Sequence, residues 1–166
     1  KLQGIEDGGF FSAEDVMARR ARLGKRVLIL DEGGNWKGCG TALKMAEEGH
    51  QVVLITPDPL VGKELQRTAA DYPLRQKLAQ LRVRFILESA ITRWTPQGAE
   101  ILSFLDGSSS FVEADSLVFA TPNLAEDTLA RELENSGLKV LNIGDSAGTR
   151  QSPFVISEAR RVALEI

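Results

Sequence analysis

The residues best placed to do chemistry lie in a glycine-rich loop, Asp31-Glu32-Gly33-Gly34-Asn35-Trp36-Lys37-Gly38, which joins an apolar run to a helical pattern. A helix opening beyond such a loop aims its free N–H groups and the positive end of its dipole at the loop's occupant, and this geometry binds phosphate. The dinucleotide fingerprint is G-x-G-x-x-G with an acid after the second strand. Counting back along the helix puts Gly38 at the third glycine, Asn35 at the second and Gly33 at the first, so the loop reads G-x-N-x-x-G with one extra residue before it. Asn35 adds a side chain where a pyrophosphate approaches the backbone, though Asn is the side chain that best tolerates the unusual backbone angles required there. Thr56 stands where an NAD site carries an acid for the ribose diol, with Asp58 two positions on beyond Pro57. Loss of that charged hydrogen bond, worth about 1.5–3 kcal/mol, weakens the adenosine half by roughly one to two decades. No Arg is present there for a 2′-phosphate. The expected ligand is an adenine nucleotide, ADP or an NAD(P)-type cofactor, on Gly33, Gly34, Asn35, Trp36, Gly38 and Thr56; the alternative is a loop with no ligand. Trp36 is placed either to stack on a base or to plug the pocket. Cys39 falls on the buried stripe of the helix and reads as core, not nucleophile.

The elements that must position this loop are legible as periodicities. Val27-Leu28-Ile29-Leu30 and Val52-Val53-Leu54-Ile55 are short apolar runs of the kind buried on both faces of a parallel sheet. Between them Cys39, Ala42, Leu43 and Ala46 recur at helical spacing, and Gly49 ends the helix. Together they make a βαβ unit with a right-handed crossover. Residues 1–24 form a lead-in, with a Ser12-Ala13-Glu14-Asp15 capping box opening a helix through about Arg22. The cluster Arg19, Arg20, Arg22, Lys25 and Arg26 is expected to complement the dipole of that helix. Helical material runs from Lys63 to about Leu81, with Pro73 opening a new turn, and Val83 to Val112 reads as an antiparallel meander punctuated by Pro96-Gln97-Gly98 and Asp106-Gly107. Leu117-Val118-Phe119-Ala120 returns to the parallel type. A helix over about 126–133, a last strand over Val140–Ile143 and a final helix from Ser152, with Val155, Ala159, Val162 and Ile166 on one stripe, complete the pattern. The expected class is α/β, a Rossmann-like parallel sheet with helices on both faces and an antiparallel β-meander insert. Its parts are the lead-in 1–24, a nucleotide-binding domain over 25–143 and a returning segment over 144–166.

Composition excludes several other functions. A formal net charge of -3 is too balanced for a protein whose main partner is nucleic acid. Cys39 is the only Cys and His50 the only His, so no Cys/His zinc site and no thiolate-held cluster forms within these residues. His50 sits in Gly49-His50-Gln51, a turn. No apolar run approaches the ~18 residues of a membrane span, and a cytoplasmic protein is expected. The chain starts at Lys1, and Ile166 falls within a helical pattern, so it reads as a piece of something longer.

Gly24-Lys25-Arg26-Val27-Leu28-Ile29-Leu30, Ala46-Glu47-Glu48-Gly49-His50-Gln51-Val52-Val53-Leu54-Ile55-Thr56 and the lead-in Phe11-Ser12-Ala13-Glu14-Asp15-Val16-Met17 resemble the nucleotide-binding region of the trimethylamine dehydrogenase and 2,4-dienoyl-CoA reductase family of flavoproteins. The resemblance extends over nearly the whole chain. Ala114-Asp115-Ser116-Leu117-Val118-Phe119-Ala120-Thr121 is similar to the family's A-T-G segment, with Pro122 in place of the glycine, which implies a nucleotide contact at Thr121. Asn142-Ile143-Gly144-Asp145 followed by Arg150 is similar to its second flavin motif, which implies that Gly144 and Asp145 hold a flavin ribityl or related hydroxyl. The family further implies a parent enzyme with an FMN- and iron–sulfur-bearing barrel, an FAD-like domain, and substrates that are methylated amines or enoyl compounds. On this reading the chain carries no catalytic side chain and no metal ligand, and its partners are an adenine nucleotide, the parent's other domains and a second copy of itself in a homo-oligomer. The rival from another class is an interaction module that binds no nucleotide and packs against the barrel or a second subunit. A phosphorylation-dependent receiver domain, suggested by Asp31-Glu32, lacks its phosphate-accepting Asp and has no place for the meander.

Overall fold

A computed structural model describes residues 3–4, 8–134, 136–149 and 152–165. Two compact units divide the chain, Lys1–Thr121 and Pro122–Ile166. The first contains β1 (Phe10–Ser12), α1 (Ala13–Met17), β2 (Arg26–Asp31), α2 (Trp36–Glu47), β3 (Gln51–Ile55), α3 (Asp71–Gln80), β4 (Arg84–Ile86), β5 (Ser89–Thr95), β6 (Gly98–Ser103), β7 (Ser109–Glu113) and β8 (Ser116–Ala120). Five strands form one sheet in the order β1-β8-β2-β3-β4, and every pairing in it is parallel. The antiparallel sheet β5-β6-β7 is the meander.

Strand residues alternate between two cores because successive side chains leave a strand on opposite faces. Val27, Ile29, Val52, Leu54, Val118 and Ala120 pack with Ala13 and Val16 of α1, Ala42 and Met45 of α2 and Leu74 and Leu78 of α3. Leu28, Leu30, Ile55 and Leu117 point the other way and pack with Ile91, Trp94, Ala99, Ile101 and Val112 of the meander. Helices therefore cover one face of the parallel sheet and the meander covers the other. The buried apolar runs at β2 and β8 follow from this, since neither face of a central strand meets water.

In the first unit four elements depart from the sequence reading. The lead-in supplies an edge strand, β1, with Phe10 opposite Leu117 of β8; three residues are too few for alternation to show. Helix α1 stops at Met17 instead of near Arg22, because Ala18 closes it and Arg19 turns left-handed at φ 58. Its start is as expected: Ser12 Oγ accepts from the Asp15 N–H at 3.0 Å and donates to Asp15 Oδ2 at 2.7 Å. The arginine cluster thus lies beyond the helix, whose last turn holds no basic residue. The stretch after Lys63 is a 3-10 turn over Lys63–Thr68 and then α3, separated by Ala69 at φ 54, with Pro73 in the first turn of α3 where its missing N–H is not needed. Residues 84–86 join the parallel sheet beside β3 and leave the meander to begin at Ser89.

The second unit holds α4 (Thr128–Leu133), a 3-10 turn over Gly144–Ser146 and α5 (Ser152–Ala163). Neither helix buries a residue, and Leu124, Leu129, Phe154, Ile156 and Leu164 are exposed. Val140–Ile143 forms no strand: a strand needs a neighbour to exchange backbone hydrogen bonds, and none pairs with it among the described residues. Val155, Ala159 and Val162 of the expected stripe are half-buried, whereas Ile166, like Arg150, lies outside the described residues. Among the described residues no helix is long and apolar enough to cross a membrane.

Candidate functional site

The glycine loop leaves the carboxyl end of β2 and enters α2, the place where open α/β sheets bind ligands. Its geometry is organised by a side chain, Asp31, that the fingerprint does not contain. Asp31 ends β2 and is fully buried. Its Oδ1 accepts the N–H groups of Gly33 at 3.2 Å and Gly34 at 3.0 Å, and Cys39 Sγ lies 3.6 Å from its Oδ2. Asn35 is the N-cap of α2 in an extended conformation at φ −126, and its Oδ1 accepts the Lys37 N–H at 2.8 Å. The left-handed position expected at Asn35 is instead taken by Gly34 at φ 58, because an N-cap needs β-region angles.

Gly38 does what the third glycine of the fingerprint does. A Cβ there would lie 2.3 Å from Asp31 Cγ and 2.5 Å from its Oδ1, so only hydrogen lets α2 approach the end of β2. Trp36 neither plugs the loop nor lies buried: it is 56% exposed on the outside of α2. Lys37 reaches from α2 to the Thr121 carbonyl at 2.9 Å and to Glu14 at 2.7 Å. Thr56 is buried, and its Oγ1 accepts the Asp58 N–H at 3.2 Å. Asp58 is the acid that comes close, since a Cβ on Gly34 would lie 3.3 Å from its Oδ2, and it is paired with Lys63 at 2.8 Å. In the second unit, Gly144 is left-handed at φ 68 and donates its N–H to Glu158 at 3.3 Å, while Asp145 is exposed. The structure thus gathers Gly33, Gly34 and Gly38 around Asp31, sets Asn35 as the cap that follows them, links Thr121 to the loop through Lys37 and buries Thr56. Sequence reasoning missed Asp31 and Asp58 as site residues; the available signal was an acid on the last position of an otherwise apolar strand.

These residues do not fit a pyrophosphate. The N–H groups of Gly33 and Gly34 serve an internal carboxylate, that of Lys37 serves Asn35, and the nearby ammonium groups of Lys37 and Lys63 each have an oxygen partner. A second anion would meet Asp31 and Asp58.

Residues 11–112, well over half of the chain, match the family described as the OYE-like second alpha/beta domain. The chain belongs to that family. This bears out the resemblance drawn from its motifs. Among curated proteins, the domain is 30% identical over 159 residues to cinnamate reductase of Clostridium sporogenes, covering 94% of this chain and 23% of the relative. It is 25% identical over 183 residues to dimethylamine dehydrogenase of Hyphomicrobium sp. (strain x), covering 92% of this chain and 24% of the relative. Its fold matches histamine dehydrogenase from Rhizobium sp. 4-9 with a TM-score of 0.83 at 23% identity, over 99% of this chain and 27% of that one. The second alpha/beta domain therefore spans about a quarter of the length of the relatives it matches.

Burial holds the Asp31 carboxyl above the usual carboxylate range, against the pull of the Gly34 and Gly33 N–H groups and the Cys39 thiol, and the charge of Asp58 adds to the rise. Burial beside Asp31 likewise pushes the Cys39 thiol up, which keeps it an inert core group. A carboxyl with a raised folded pKa holds its proton more tightly folded than unfolded, so its contribution to stability is present below about pH 3.9 and is lost as pH rises through the folded value. Asp31→Asn keeps the Oδ1 acceptor and carries no charge. Its stability relative to the parent chain is expected to rise from pH 4 to pH 7, read as the difference in urea midpoints; a difference that stays flat or falls would show that Asp31 does not titrate in this way.

Proposed function

We propose that this chain is the Rossmann-like second domain of a multidomain flavin-dependent oxidoreductase in which the phosphate cradle has been closed by Asp31. Its work is structural: it packs against the parent's other domains and supplies no catalytic side chain. The observation that carries this reading is the Asp31 carboxylate taking the Gly33 and Gly34 N–H groups from within. The parent carries FMN, FAD and an iron–sulfur cluster in its remaining domains and works in the cytoplasm. Its substrates are methylated amines or enoyl compounds, a pairing supported by relatives named for dimethylamine and for cinnamate. A homo-oligomer is part of the same proposal.

A nucleotide present at a hundred times its dissociation constant would add about 2.7 kcal/mol to stability. Thermal unfolding of the chain with millimolar ADP, NADH, NADPH or FAD is expected to give the same melting temperature as without. A second reading, adenine-nucleotide binding through ADP or an NAD(P)-type cofactor, is favoured by the Asp58 carboxylate beside Gly34, where a ribose diol would find an acceptor. Stabilisation by ADP or NADH that disappears in Asp58→Asn would establish this second reading and overturn the first.

A further inference from the structure

At the amino end of the parallel sheet, opposite the glycine loop, a groove of about 350 Å³ runs past the first residues of β2, β3 and β4, namely Arg26, Gln51 and Arg84. Val52, Val53 and Leu81 give it apolar surface, and His50, Arg82 and Glu113 contribute the remaining polar groups. The groove's volume lies within the range of small-ligand sites, about 300–1,000 Å³, while its lining residues are mostly polar, with three apolar among the nine described.

The charges in the groove are unevenly satisfied. The Arg26 guanidinium is held by Asp115 and by Glu113, so the one carboxylate in the wall is already neutralised. The side chains of Arg82 and Arg84 are exposed and have no carboxylate partner among the described residues. Arg82 is also held in a strained backbone. It closes α3 at φ 60, with its N–H donating to the Ala79 carbonyl at 2.9 Å and the Val83 N–H to that of Leu78 at 3.0 Å. Glycine is favoured at this position because a Cβ crowds the neighbouring carbonyl, and such strain gathers at functional sites.

A smaller hollow on the other side of His50 repeats the arrangement, with Arg19 at φ 58 just beyond α1 and Glu48 opposite it. The Gly24 carbonyl lies 2.8 Å from His50 Nδ1 and can only accept, so Nδ1 carries the proton and Nε2 is the ring's free position. The run Arg19, Arg20, Arg22, Lys25 and Arg26 lies past α1, so the helix dipole does not account for it. In space it borders the same edge as Arg82 and Arg84 through the positions of Arg19 and Arg26.

We propose that this groove binds a small organic anion, a phosphate or carboxylate held by Arg82 and Arg84 on a small apolar body set against the partly exposed Val53 and Leu81 at the sheet's end. Planar guanidinium forks suit both anions, and the apolar surface selects for the body that carries them. The site is independent of the glycine loop and of its occupancy.

Calorimetric titration of the full chain with phenyl phosphate, benzoate and inorganic phosphate tests this. Saturable one-to-one binding of phenyl phosphate or benzoate is expected, weakening as salt is raised. Inorganic phosphate is expected to bind roughly tenfold more weakly or less. Arg84→Gln should weaken phenyl phosphate about tenfold, the loss of one charged contact. Arg82→Gly should do the same while raising the melting temperature, because glycine relieves the left-handed backbone. This opposition of sign is what a purely structural arginine would not give. Absence of saturable binding with both aromatic probes, unchanged affinity in both variants, or inorganic phosphate binding as tightly as phenyl phosphate would each overturn the proposal.

Discussion

Trp94→Ala is expected to destabilise the first unit by about 3–5 kcal/mol, the range for deleting a buried aromatic side chain. Trp94 is 1% exposed in β5 and packs in the cluster that joins the meander to Leu28, Leu30 and Leu117 of the parallel sheet. Its indole also ties down the lead-in. Nε1 donates to the Gly8 carbonyl at 2.7 Å, and the Trp94 backbone N–H donates to the Gln3 carbonyl at 2.9 Å. Truncation opens a cavity between the two sheets and leaves the Gly8 carbonyl without its donor. Domains of this size are stable by about 5–15 kcal/mol, so the change removes a large share of the total. Urea unfolding followed by circular dichroism reads the loss. Trp36, being exposed, should leave the variant with only red-shifted emission. Trp94→Phe keeps an aromatic ring but loses the N–H and part of the indole's volume, and a smaller loss of about 1–3 kcal/mol is expected. An alanine variant that unfolds at the midpoint of the parent chain would refute the assignment of this residue to the core between the sheets.

Gly38→Ala tests the close approach of α2 to β2. By helix propensity alone the substitution would stabilise α2 by up to about 1 kcal/mol. The structure reverses the sign: the new Cβ meets Asp31 Cγ at 2.3 Å, Oδ1 at 2.5 Å and Cβ at 2.7 Å, all belonging to a buried side chain. Asp31 must then move and release the Gly33 and Gly34 N–H groups, and a loss of about 2–3 kcal/mol is expected, as for other overpacked sites. Asp31→Gly removes the atoms that clash. A double-mutant cycle should therefore show Gly38→Ala costing at least about 1 kcal/mol less in the Asp31→Gly background. Additive effects would mean that the glycine is required for something other than making room for Asp31.

Much of the fold was legible because single residues report their burial directly. Val27–Leu30 and Leu117–Ala120 read as central strands since both their faces are covered, and Cys39, Ala42 and Ala46 read as the inner stripe of a helix since they return every three or four residues. Edges were not legible. β1 and β4 are three residues each, long enough to pair and too short to show a period. The end of α1 turns on Arg19 adopting a left-handed angle that nothing in its type announces. Val140–Ile143 has the composition of a strand, but composition supplies no partner.

In the glycine loop, residue types alone set a turn into α2, because that follows from local backbone geometry and the spacing of strand and helix; the need for hydrogen at Gly38 comes from the buried Asp31 side chain packed against it. The sequence also determined the family, through the order of its motifs. What accepts the N–H groups of Gly33 and Gly34 was a matter for the folded chain. A carboxylate at the end of β2 can point to solvent, to a ligand or back into its own loop, and only the burial of Asp31 under α2 selects the last.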